Sequence, residues 1–193
     1  MENKLFSKFS FYDQVGYILV GSIFLLIAFF DVWLLQYQIP KINGVDLVVL
    51  AIIAYFLGHL IQSVANLVIK EKEKEFSKQE IEILNIAREK FNLKEKTDNE
   101  VYRFCYMLSL SKDFSGQVET FNAYYSLYRG WFIVFVFQTF FLVYHLIVAF
   151  NFTNLIFFFI SLVITILFCL RLKRFYNYCR EKTLQTFLII NKL

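Results

Sequence analysis

Four stretches of the sequence are each apolar for about the length that crosses a lipid bilayer, and no other property restricts the fold so strongly. Roughly 20 predominantly apolar residues in a helix span the ~30 Å hydrocarbon layer. The stretches run from about Val15 to Leu35, Leu47 to Val68, Trp131 to Phe150 and Leu155 to Leu172. Backbone amides in lipid find no water to bond, so these segments must be helices that satisfy their own hydrogen bonds. Apolar residues make up 58% of the 193-residue chain, with 25 phenylalanines and one proline. Soluble domains carry about 45–50%, so lipid is the solvent that suits this composition. The first stretch is long enough to span, and no small-residue cleavage site closes it, which predicts an uncleaved anchor.

Loop charges predict the orientation, because lysine and arginine concentrate on the cytoplasmic side. The N-terminal tail holds two of them and residues 36–46 hold one. Residues 69–130 hold eleven, residues 151–154 none, and the tail from Arg171 onward six. Nineteen therefore fall on one side and one on the other. Both termini and the middle segment are expected in the cytoplasm. On the outer side, Pro40 with Asn43 and Gly44 marks a turn. The two short outer connections leave no room for an external ligand-binding domain.

The expected fold is an all-α membrane protein: four transmembrane helices, with a helical cytoplasmic subdomain between spans two and three. Residues 1–68 would form an N-terminal hairpin, 69–130 the subdomain, 131–172 a second hairpin, and 173–193 a basic amphipathic C-terminal helix. The run KEKEKE at 70–75 alternates in sign and reads as a continuation of the second span. Ser77 with Glu80 and Thr97 with Glu100 fit capping boxes, each placing a side-chain acceptor and donor at a helix start. Apolar stripes at helical spacing follow both. Ser115-Gly116 breaks the chain before a third helix, expected from about Gln117 into the third span.

The middle segment carries eleven basic and eleven acidic residues. Phosphate binding needs a basic surplus, so nucleic acid is not an expected partner. The tail is different: Arg171, Lys173, Arg174, Arg180 and Lys182 interleave with aromatic and aliphatic residues. Arg171, Lys173 and Arg174 are candidate contacts to an anionic leaflet. The alternative packs the tail on the middle subdomain as ordinary core. Tyr124, Tyr125 and Tyr128 stand where the third span leaves the interface. They form either an aromatic belt or a surface for a partner.

Polar side chains within spans are costly and mark functional positions. His59, Gln62, Ser63 and Asn66 share one helical face by i, i+3, i+4, i+7 spacing. Gln138 and His145, seven apart, lie on one face of the third span, and Asp31 lies towards the outer end of the first. Three readings stand open. The polar groups hydrogen-bond helix to helix, line a water-filled pore within a homo-oligomer, or join His59, His145 and Asp31 at a metal or proton site. Against the last, no metal-binding helix spacing is present. The chain also lacks a nucleophile elbow, a Walker loop and a glycine-rich nucleotide turn. No histidine follows Arg88, Arg103 or Arg129 at the distance of the Arg-x4-6-His ribonuclease pattern. The expectation is a non-enzymatic protein without cofactor or metal. Its three cysteines, Cys105, Cys169 and Cys179, form no even-numbered framework and read as reduced thiols.

Phe11-Tyr12-Asp13 precedes the first span, followed by Gly16-Tyr17 and Gly21. Later come Ala54-Tyr55, Gly58-His59, Gln62 and Ala65-Asn66. This pattern, over about the first 66 residues, resembles small multi-span bacterial membrane proteins encoded beside antiviral defence systems. Among them are the accessory membrane proteins of type VI-B CRISPR loci. Where that family often has proline before the first-span glycine, this chain has Val20. The resemblance implies a bacterial inner-membrane protein of phage defence. It would act as an oligomeric membrane-perturbing or pore-forming effector, or as a membrane-anchored regulator of a soluble nuclease. The alternative is a transport or scaffold subunit that partners a separate enzyme.

Overall fold

In the computed structural model the protein is helical, and no strand occurs among the described residues, which are 14–38, 43–69, 76–113 and 115–191. Phe11 to Asp13, the Pro40 turn and the charge run at 70–75 lie outside them. Six α-helices follow one another among these residues. They are α1 (Leu19–Leu34), entered through a π-helical turn at Gln14–Ile18, α2 (Gly44–Val68), α3 (Lys78–Lys90), α4 (Asp98–Lys112), α5 (Gln117–Val148) and α6 (Phe152–Ile190). Four segments are long and apolar enough to cross a membrane: Gly16–Leu34, α2, α5 and α6. The protein is thus an all-α membrane protein with four membrane helices and a helical subdomain between spans two and three. The surface of α2 shows why water is the wrong solvent. Val45 is 77% exposed, Leu67 76% and Phe56 63%, large apolar side chains left uncovered along the length of one helix.

The chain divides into two compact units, Met1–Ile69 with Ala123–Lys173, and Lys70–Asn122 with Arg174–Leu193. In the first unit, α1 and α2 cross with their backbones almost touching. A methyl group on Gly21 would lie 1.7 Å from the Ala54 carbonyl oxygen, and one on Gly58 would lie 2.0 Å from the Tyr17 carbonyl oxygen. Only glycine permits that approach, and close backbone approach is how membrane helices gain packing energy without a hydrophobic driving force. Val20, Ile61, Ala65, Leu127 and Val134 then close a core among the first three spans. The α5–α6 pair is tied by hydroxyls, with Thr139 Oγ1 2.9 Å from Ser161 Oγ and 3.2 Å from Thr165 Oγ1.

In the second unit both expected capping boxes form. The Ser77 hydroxyl accepts from the Glu80 N–H at 3.3 Å, and the Glu80 carboxylate accepts from the Ser77 N–H at 2.7 Å. Thr97 and Glu100 repeat the exchange at 3.4 and 2.9 Å. These bonds from Thr97 hold the Glu100 carboxyl below its ordinary range. Leu84, Ala87, Val101 and Cys105 form the core together with Leu184 and Phe187. Gly116 sits at φ +65°, a left-handed turn that suits glycine. Asp113 caps the start of α5 by accepting from the N–H groups of Ser115 and Val118 at 3.0 and 2.8 Å. Burial raises this carboxyl, but the bonds from Ser115, Val118 and Gln117 outweigh it and hold the group below its usual value.

The tail does not form a helix of its own. Residues 151–193 contain no glycine or proline, so nothing breaks the helix after the fourth span, and α6 runs on to Ile190. Leu184 is 1% exposed and Phe187 fully buried, which places the end of the chain in the core of the second unit. Arg180 pairs with Glu80 at 2.8 Å, its guanidinium over the Phe76 ring at 4.4 Å. The Ser109 hydroxyl donates to the Thr183 carbonyl at 3.0 Å. Within α5 the two units part between Asn122 and Ala123, earlier than the expected boundary at residue 130.

Candidate functional site

The polar face of α2 does not point one way. At 100° per residue, Gln62 and Ser63 lie roughly 100° apart, so the face straddles the border between protein and lipid. Gln62 turns inward and is 4% exposed. Its Nε2 donates to the Gly16 carbonyl at 3.1 Å and to the Ser126 carbonyl at 2.7 Å. Its Oε1 accepts from Arg129 at 3.2 and 3.4 Å. One side chain therefore joins α2 to the π-helical lead-in of α1 and to α5. Gly130 makes the room: a methyl group there would meet Val20 at 2.7 Å and Gln62 Nε2 at 2.8 Å.

Ser63 and Asn66 face outward, and the Ser63 hydroxyl donates to the His59 carbonyl of its own helix at 2.9 Å. His59 lies at the edge, its ring stacked on Tyr17 with centroids 3.7 Å apart and set edge-on to Tyr55 at 4.6 Å. Tyr17, Gly21, Ala54, Tyr55, Gly58, His59 and Gln62 thus all belong to the α1–α2 seam. These positions of the sequence pattern form one contact surface, and Asn66 faces away from it.

Gln138 belongs to a separate place. It is 7% exposed and donates to the Asp31 carboxylate at 2.7 Å. His145 packs on Phe141, with ring centroids 4.7 Å apart. Among the described residues no group of three His, Cys, Asp or Glu side chains is placed to hold a metal. His59, His145 and Asp31 are therefore not gathered into a ligand set.

The tyrosines before the third span are part of the first unit. Tyr125 is 8% exposed, with the Arg129 guanidinium 5.4 Å from its ring centre. Tyr128 packs on Trp131 and Phe168 at 6.0 and 6.1 Å, and Tyr124 is half-buried against the core. Arg171 and Lys173 are exposed. Arg174 is exposed too, and its Nε donates to the Tyr178 hydroxyl at 2.8 Å.

Sequence reasoning missed Arg129 and Ser126. Arg129 stands just before the apolar stretch, where a cation is expected to be hydrated. The available signal was its position: three residues after Ser126, on one face of α5, beside a glycine. The site these residues build is a hydrogen-bonded lock among three spans. Gln62 uses both N–H bonds and its oxygen inside the protein, which leaves it nothing to offer a water column or a proton relay. No protein-family model matches the chain, and neither does any curated protein or solved structure.

Proposed function

We propose that this protein is a non-enzymatic inner-membrane anchor of bacterial antiviral defence, which receives a soluble cytoplasmic defence protein on its second unit. The observation that carries the reading is the fate of the polar side chains in the spans. Gln62 and Gln138, the best candidates for a pore lining, are buried in bonds between helices of one chain. A bundle locked in this way suits a platform more than a channel. The defence assignment rests on the resemblance of the first 66 residues. The cytoplasmic placement of the second unit rests on the nineteen-to-one loop charge.

The test uses the full chain in proteoliposomes and in cells challenged with phage. Proteoliposomes should hold a potassium gradient as tightly as empty vesicles. A nuclease encoded beside the gene should co-purify with the wild type and be lost with charge-reversing changes on the exposed surface of α3. A chain that leaks the gradient on its own, or defence that is independent of the second unit, would overturn the anchor reading. One observation favours an oligomeric pore as the second reading: Ser63 and Asn66 face outward on α2. That version requires Asn66→Leu to abolish both self-association and leakage.

A further inference from the structure

We propose that the groove between α1 and α5 at Asp31 is a docking site for a transmembrane helix of a partner protein that carries a lysine or arginine at that depth. The groove is open and encloses about 490 Å³. It is lined by positions 24, 27, 28 and 31 of α1 and positions 134, 137, 138 and 141 of α5. Each set follows i, i+3, i+4, i+7, so one straight stripe from each helix faces the other across the gap. Two such stripes side by side form the seat into which a third helix packs its own ridge. The lining is apolar except at Asp31 and Gln138. Phe137, one of the lining side chains, is 56% exposed.

The charge identifies the occupant. A charged carboxylate inside a span is costly, and the cost is met best by an opposite charge. Gln138 supplies a single N–H, at 2.7 Å, and a neutral amide does not balance the charge. No lysine or arginine occurs at 16–34, 44–68 or 131–170. The arginines and lysines of α5 and α6, Arg129 and those from Arg171 onward, stand towards the other ends of these helices from Gln138 and Phe152, so a second copy inserted the same way brings none of them to the depth of Asp31. A helix with a single embedded lysine or arginine has the length, the shape and the charge. This inference does not depend on what the second unit binds.

The experiment uses the full-length chain in proteoliposomes and two synthetic 22-residue leucine–alanine helices. They are identical except for one lysine, or leucine in its place, in the third of the helix that meets Asp31. Association is read by energy transfer from a label on the chain. The lysine helix should bind about tenfold more tightly than the leucine helix. Asp31→Asn should remove that preference. Ala28→Phe should block both helices by filling the groove while leaving the carboxyl intact, so a folding failure of one variant does not leave the question open. Equal binding of the two peptides, or a preference that survives Asp31→Asn, overturns the proposal. So does competition by dodecyltrimethylammonium at the same concentration as the peptide, which would make the occupant a lipid-like amine. Asp31-dependent self-association without peptide would assign the groove to a second copy and overturns it as well.

Discussion

Replacing Gln62 by leucine removes a side chain whose hydrogen bonds join three spans. The two bonds from its Nε2 to the Gly16 and Ser126 carbonyls are each worth about 0.6–1.7 kcal/mol between membrane helices. The Arg129 guanidinium then loses its only described side-chain acceptor. A hydrogen bond to a charged group is worth about 1.5–3 kcal/mol, reduced here because Arg129 is half-exposed. Gln62→Leu should therefore destabilise the bundle by about 2–5 kcal/mol once the Arg129 bond is discounted for exposure. The assay is reversible unfolding of the full chain in mixed micelles by increasing SDS, followed by helicity. Ser63→Ala is the control on the same helix: its hydroxyl bonds only its own backbone, so the change should be within about 0.5 kcal/mol. A double-mutant cycle of Gln62→Leu with Arg129→Leu should return a coupling of at least about 1 kcal/mol. A Gln62→Leu chain as stable as the Ser63→Ala control would refute the lock.

At the α1–α2 seam, Gly21→Ala and Gly58→Ala should each cost about 1–3 kcal/mol, the usual penalty for overpacking, because their new methyl groups meet backbone carbonyls. Gly44→Ala, with open space around it, should leave the SDS midpoint unchanged or slightly raised. Arg180→Met should destabilise the second unit by about 2–4 kcal/mol, since it strands Glu80 after breaking a largely buried pair; thermal melting of the full chain reads this. Burial pushes the Cys105 thiol up to about 12 from an ordinary value near 9. The folded state then keeps its proton while the unfolded state loses one, so stability should be flat below about pH 9 and fall from there towards pH 12. Its thiol should resist maleimide at pH 7.5 until the chain is unfolded.

The spans and capping boxes were legible because each is set by a local rule. Bilayer thickness fixes the length of an apolar run, and Ser77 with Glu80 bond across three residues whatever else the chain does. The start of α5 at Gln117 was legible for the same reason, from Gly116. The course of the chain beyond the fourth span was not. Lys173 and Arg174 look like an interface, but without a glycine or proline the helix continues, and only tertiary packing decides that Leu184 and Phe187 become core. The polar face of α2 was half legible. Its spacing was right, yet periodicity cannot say where the protein–lipid border cuts the helix, so Gln62 and Asn66 share a stripe and have opposite fates. Arg129 was hidden because its partner is 67 residues away.

The seam at Gly21 and Gly58 bears on how this sequence can change over time. Lipid distinguishes Phe from Leu or Val only weakly, so the outward positions of α2 can be exchanged almost freely. A position that holds a carbonyl about 2 Å from where a side chain would begin favours glycine over every other residue. The information that specifies this bundle is therefore concentrated in a few small and polar positions. A library randomised across α1 and α2 and selected for stable insertion should drift towards any apolar alphabet everywhere except along that line.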